Sequence, residues 1–316
     1  MLSGENGILR QATEGNQKYK TAQNNEKNVL NEYEEKIEME VTQRITNVEE
    51  LREAIMYSKD GDTIFLASGH FNITGSNNDP LVIDKSIKLV GATAEEAHYD
   101  NSQVITSGNI PVSSGTLFTR APNGDRGITN LVKITAEGVT LKNITFDGAI
   151  CNDDGSKSVY SPLTVEASDF IGENLYFNNM INQGIELNNA HNAKLKNIVS
   201  KNYFNIDFSS QKIVNIIASK NVFIDGLNVT LNDGVAVRTN QQTVIATINN
   251  LEVSGTGTAV SMNISNTPSW WQPDWGSYMG NHIVTLTGAT TLGENITKVV
   301  INDESPDDEY TATFID

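Results

Sequence analysis

Apolar residues in the middle of the chain fall in short alternating runs rather than at helical spacing. Four segments repeat one arrangement: small or polar residues, an apolar residue, an Asn or Gly turn, then two apolar residues with one residue between them. They are AEGVTLKNITF from Ala136, ASDFIGENLYF from Ala167, NAHNAKLKNIV from Asn189 and ASKNVFIDGLNV from Ala218. Superposing Val139, Phe170, Ala193 and Val222 gives steps of about 31, 23 and 29 residues. These steps suit one coil of a β-solenoid, whereas a helical repeat would need a 3.6-residue pattern.

A second column of strands falls between these segments, at Leu163–Val165, Ile185–Leu187, Ile206–Phe208, Val235–Val237 and Val260–Met262. In each the flanking residues are apolar and the middle one varies, so the flanks face inward and the middle faces solvent. The outward residues are then Thr164, Glu186, Asp207, Ala236 and Ser261. No single coil buries its apolar residues alone; stacking at about 4.8 Å buries them and pairs the strand edges. Asn143, Asn174 and Asn197 suit corners, because Asn tolerates left-handed backbone, and the repeat predicts that they line up.

Outside the repeats the pattern changes. Before residue 46 the chain is rich in Glu, Lys, Gln and Asn, and Val29, Tyr33, Ile37 and Val41 recur at four-residue steps. That spacing predicts a helix with charged sides, a stalk or linker over residues 1–45. Thr46 and Glu49 have the spacing of a capping box, followed by Val48, Leu51 and Ile55 on one face. This predicts a short amphipathic helix covering the first coil of a solenoid that occupies residues 46–265. Residues 266–316 hold a Trp-rich loop, NTPSWWQPDWGSYMGNH, and strands that form either further coils or a small β cap.

The solenoid region, including the short helix and the GDTIFLASG segment after it, resembles the pectin-lyase-like superfamily. The resemblance implies an all-β, right-handed parallel β-helix. Polysaccharide lyases, glycoside hydrolases, phage tailspikes and non-enzymatic adhesins share that superfamily, so the fold does not choose among them. Of the polygalacturonase signatures only an Asp-Asp pair occurs, at Asp153 and Asp154 in the run CNDDGSKS, which reads as a turn between coils. Met1–Val41 resembles the stretch after the transmembrane helix in type IV pilin-like proteins of Gram-positive anaerobes. That implies a longer precursor, an extracellular place on a bacterial cell surface, and membrane contact only through an apolar helix absent from this chain.

Composition narrows the partners. The net charge is −17, from 39 acidic and 22 basic side chains, which disfavours nucleic acid and anionic lipid. An acidic glycan is repelled too unless calcium bridges carboxylates on both sides. Cys151, the single cysteine, forms no internal disulfide and reads as a small buried residue. No apolar run approaches the ~20 residues that span a bilayer and no secretory leader is evident, so the chain as given reads as soluble. The four histidines are scattered, with no metal-ligand spacing.

Two places carry candidate chemistry. Glu186 and Asp207, on adjacent strands, would stand roughly 5 Å apart, the separation used by retaining glycosidases. Such a pair acts as acid and nucleophile, holds calcium, or is simply two surface carboxylates. Arg238, at the end of the following strand, is placed to orient a carboxylate substrate; the resemblance to pectate lyases gives it a proton-abstracting role instead. Trp270, Trp271, Trp275 and Tyr278 offer flat rings able to stack on sugar faces, or else to form a lid over the last coil. Two functions remain open: a cell-surface module that recognises polysaccharide or serves as an adhesive or structural element, and a lyase or glycoside hydrolase acting on an acidic, pectin-like glycan.

Overall fold

β-Branched runs punctuated by Asn and Gly corners leave the chain one economical way to pair its backbone, each coil hydrogen-bonding to the next. The computed structural model describes residues 44–73, 80–93, 115–120, 130–147, 161–178, 183–201, 212–264, 279–303 and 310–316. Within them seventeen strands join one sheet. Coil-to-coil pairings are parallel throughout, as in β8–β10 and β9–β11 below. Ile45–Asp316 forms one compact unit, and its described residues build a parallel β-helix.

Three ribbons run along it. The first contains β3 (Leu81–Ile83), β6 (Val132–Ile134), β8 (Leu163–Val165), β10 (Gln183–Asn188), β12 (Lys212–Ile217), the last parts of β13 (Val222–Asn240) and β14 (Val244–Ile264), and β16 (Asn295–Asp303). The second starts with β1 (Thr63–Phe65) and β4 (Lys88–Val90). It continues through the first parts of β7 (Thr140–Asp147), β9 (Ile171–Asn178), β11 (Lys194–Lys201), β13 and β14, then β15 (His282–Leu292) and β17 (Ala312–Ile315). The third takes β2 (Gly69–Ile73), β5 (Thr116–Arg120) and the following parts of β7, β9, β11, β13 and β14. The stretch after Asn281 therefore continues the same ribbons as further coils.

The repeat alignment is reproduced residue by residue. Thr140, Ile171, Lys194 and Phe223 are register partners, so Val139, Phe170, Ala193 and Val222 stack one position earlier, and all four are buried. Asn143, Asn174 and Asn197 have φ of 58°, 52° and 53°. Each amide donates to the one before it, Asn174 Nδ2 to Asn143 Oδ1 and Asn197 Nδ2 to Asn174 Oδ1, both at 3.0 Å. A second ladder, not anticipated, joins Asp169, Asn192 and Asn221 at another corner, with two 3.1 Å bonds and φ near 60° throughout. Inside the third ribbon, Phe71, Phe118, Phe146 and Phe177 follow one another at centroid spacings of 5.6, 5.6 and 5.0 Å, the first two pairs edge-on and the last stacked.

Helix α1 (Val48–Tyr57) buries Val48, Leu51 and Ile55, which join the core of the first coils. Its cap lies one residue later than expected. Asn47 is the N-cap, its side chain accepting from Glu50 N at 2.9 Å, and Glu50 Oε2 accepts from Thr46 N at 2.9 Å and Thr46 Oγ1 at 3.0 Å. Asn accepts at that position as well as Thr does, so local sequence leaves the two frames balanced. Apart from residues 44 and 45, the helical stalk expected over residues 1–45 lies outside the described residues. So do Cys151, Asp153, Asp154 and residues 266–278 of the aromatic loop. Among the described residues no helix is long and apolar enough to cross a membrane.

Candidate functional site

Along the first ribbon, strand alternation sends Ile185, Leu187, Val214, Ile216, Val237 and Val260 into the core. The residues between them form an outward row. Coil by coil it runs Val82, Lys133, Thr164, Glu186, Asn215, Arg238, Ser261 and Val300. Adjacent positions are about 4.8 Å apart at the backbone. The middle of the row is recessed rather than washed by solvent: Thr164 is 3 % exposed, Asn215 5 % and Ser261 7 %, and Glu186 and Arg238 are half-buried, whereas Val82 at its start is exposed.

Two expectations about this row are corrected. In the first ribbon the strand that pairs with β10 on this side is Lys212–Ile217, so the register partner of Glu186 is Asn215 and not Asp207. Both stretches alternate suitably, but KIVNII offers a longer β-branched run. Asp207 lies outside the described residues, as do Trp270, Trp271, Trp275 and Tyr278. Ala236 is buried, and Arg238 occupies the outward position in its coil. A slip of two residues keeps the alternation intact, so the apolar pattern alone did not reveal it.

The centre of the row is a polar cluster of Gln183, Glu186, Lys212, Asn215 and Arg238. Gln183 Nε2 donates to Glu186 Oε2 at 3.1 Å. Burial pushes the Glu186 carboxyl above the usual carboxylate range, opposed by hydrogen bonds from Gln183 and Asn215. Burial and the neighbouring Arg238 guanidinium lower the Lys212 ammonium to about 8, with Glu186 pulling the other way. Burial also lowers Arg238. A cluster of ionisable groups displaced by desolvation and by one another marks a candidate functional site.

The amide oxygens Gln183 Oε1 and Asn215 Oδ1 are buried with no hydrogen-bond donor, an omission that costs about 1–3 kcal/mol for each group. Both side chains also hydrogen-bond to Glu186. A protonated Glu186 supplies a donor to one of them, and a ligand hydroxyl supplies another. Elsewhere along the row the polar groups are paired: Lys133 with Glu166 at 2.9 Å, and Thr164 Oγ1 to Asn130 Oδ1 at 3.0 Å. Among the described residues no three His, Cys, Asp or Glu side chains converge as a metal cage.

Because the folded-state pKa of Glu186 is raised, its ionisation lowers stability as pH climbs from the ordinary carboxyl range through the raised value. Glu186→Gln keeps an amide in reach of Gln183 and Asn215 and removes the titration. Urea denaturation at pH 4 and pH 7 is expected to show the variant gaining stability relative to wild type as pH rises. An unchanged difference between the two would contradict the burial of this carboxyl.

Gln183, Lys212 and Asn215 carry no sequence motif. The run KIVNII marks the strand that carries Lys212 and Asn215, but residues three apart fall on opposite faces of a regular strand, so alternation alone would not have brought both to the row.

Residues 46–268 match the model of the family described as "Protein of unknown function (DUF1565)". The match starts beyond Met1–Val41, so the pilin-like resemblance gains no support from it. No curated protein matches the chain in sequence. Solved structures similar to this chain include the endo-xylogalacturonan hydrolase of Aspergillus tubingensis, at 15 % identity over 84 % of this chain and 73 % of that one, with a TM-score of 0.44. Pectate lyase Pel9A aligns at 13 % identity over 77 % and 72 % of the two chains, TM-score 0.36. The A-module of the Azotobacter vinelandii mannuronan C-5 epimerase AlgE4 aligns at 12 % over 85 % and 100 %, TM-score 0.32.

Proposed function

The chain belongs to the DUF1565 family, and we propose that the outward row of its first ribbon is a recognition groove for an acidic polysaccharide met outside a bacterial cell. The observation that carries this reading is the pairing of Lys212 and Arg238 within one recessed cluster. Each is desolvated and the two charges repel each other, so a negative group brought between them is attracted by both. A uronate carboxylate placed between them supplies it, while sugar hydroxyls donate to Gln183 Oε1 and Asn215 Oδ1. The net charge of −17 repels such a glycan at long range, and these two cations provide the local attraction that calcium bridging was otherwise needed for. An extended row, one position per coil, suits a linear polymer better than a compact metabolite.

A second reading, turnover by β-elimination, is favoured by one observation, the lowering of Lys212 to about 8. A lysine that deprotonates near working pH takes a proton from the sugar carbon next to the carboxylate. The carbon–oxygen bond to the leaving sugar then breaks as a carbon–carbon double bond forms, and the leaving oxygen takes a proton from water.

Calorimetry of the purified chain against polygalacturonate, alginate and neutral xylan, with and without calcium, tests the first reading, and absorbance of new unsaturated sugar ends tests the second. Binding of an acidic polymer that is lost in Lys212→Ala supports the groove. Unsaturated ends that vanish in the same variant add the chemistry. Binding of no acidic polymer under any condition would sink both.

A further inference from the structure

A separate concavity lies at the corner between the second and third ribbons. Among the described residues, Thr93, Asn143, Asn174, Tyr176, Asn197 and Val199 line this trough of about 400 Å³. Its floor is the outward row of the third ribbon, where Thr145, Tyr176 and Val199 are register partners. Tyr176 is half-buried there, presenting one aromatic side chain between the corner amides and Val199.

Its wall is the Asn ladder, whose far end is unfilled. The next corner position is Gly226, with φ of +77°, and a Cβ built there would stand 3.1 Å from Asn197 Oδ1. With no side chain following it, Asn197 Oδ1 accepts no ladder bond, and each ladder amide keeps a second N–H beyond the one it spends on its neighbour. The trough thus offers alternating donors and acceptors beside an aromatic ring.

Charge sets this trough apart from the groove at Glu186. None of its six lining residues ionises near neutral pH. The nearest charged row is balanced: Lys142 and Lys196 both face Glu173, at 4.0 and 3.9 Å, and Lys196 is the register partner of Asp225. Among the described residues these charges offset one another, so the trough favours neither an anion nor a cation, and an uncharged ligand can regain the hydrogen bonds of its hydroxyls from the corner amides.

We propose that this trough is a second saccharide subsite, taking an uncharged pyranose whose apolar ring face lies on Tyr176 and whose hydroxyls bond to the corner amides of Asn174 and Asn197. It does not rest on the reading of the charged groove. Saturation-transfer NMR and calorimetry of the full chain with glucose, xylose and galacturonate oligomers test it. A neutral oligomer is expected to bind, and Tyr176→Ala to weaken it by about tenfold, the loss of ~1.4 kcal/mol. Val199→Trp, at a half-buried outward position, fills the trough and is expected to abolish binding with the fold intact, which decides the matter if Tyr176→Ala is poorly folded. The proposal is overturned if no neutral oligomer binds the wild-type chain at millimolar concentration, or if Val199→Trp binds as wild type. Neutral binding lost in Lys212→Ala but kept in Tyr176→Ala would place the sugar in the charged groove and equally overturn it.

Discussion

Phe146→Ala is expected to lower folding stability by about 3–5 kcal/mol, the range for removing a fully buried Phe. Phe146 has no exposed surface and two ring partners, Phe118 edge-on at 84° and Phe177 stacked at 3°. Loss of the ring removes its transfer free energy and opens a cavity between two coils that are fixed by backbone pairing on either side, so little collapse can offset it. Phe71 provides the internal control. It is equally buried but among the described residues meets one ring, Phe118. Phe71→Ala should therefore cost less than Phe146→Ala by about 0.5–1.5 kcal/mol, the worth of one aromatic pair. Urea denaturation of the two variants checks both values, and equal losses would mean that the rings contribute only their area.

The ladder is an instance of what was and was not readable in the chain. The repeat of Val139, Phe170, Ala193 and Val222 gave the coil because each position must be apolar in every coil, and errors in one coil do not spread. The Asn corners were readable for a similar reason, since left-handed backbone restricts the choice of residue. The phenylalanines stack because each falls at the same inward position of the third ribbon, but Phe also recurs outside it, at Phe170 and Phe223. Only the register separates those cases. Register is also where the outward row went astray. Coil length varies, and nothing in an alternating pattern says whether a coil resumes at Ile206 or at Lys212, or whether Ala236 or Arg238 ends outside. Packing of the following coil decides it, through contacts distant in sequence. The site inherits that uncertainty: Glu186 and Arg238 lie in the row, while Gln183, Lys212 and Asn215 enter it only once the coils are stacked.

The same register yields the largest functional prediction. If the groove binds a uronate polymer, affinity is expected to fall as pH rises through about 8, because Lys212 titrates there and its neutral form no longer attracts a carboxylate. The sign differs for folding. An unfolded lysine titrates near 10.4, so between about 8 and 10.4 the unfolded chain binds the extra proton and stability rises with pH. Binding should thus weaken across a range in which the fold grows firmer, which separates loss of the ligand contact from loss of structure. Arg238→Ala removes one charge-assisted contact, worth ~1.5–3 kcal/mol, and should weaken binding by about ten- to a hundredfold below pH 8. It also removes a neighbour that lowers Lys212, so the pH midpoint should move upward. Lys212→Met should bind weakly with no step near pH 8. Turnover has the opposite sign: elimination needs the neutral amine, so its rate climbs through the pH range in which binding declines. Affinity and rate measured on one set of samples from pH 6 to 10 therefore separate a recognition groove from an active site. An affinity that is flat through pH 8 in the wild-type chain would remove Lys212 from either role.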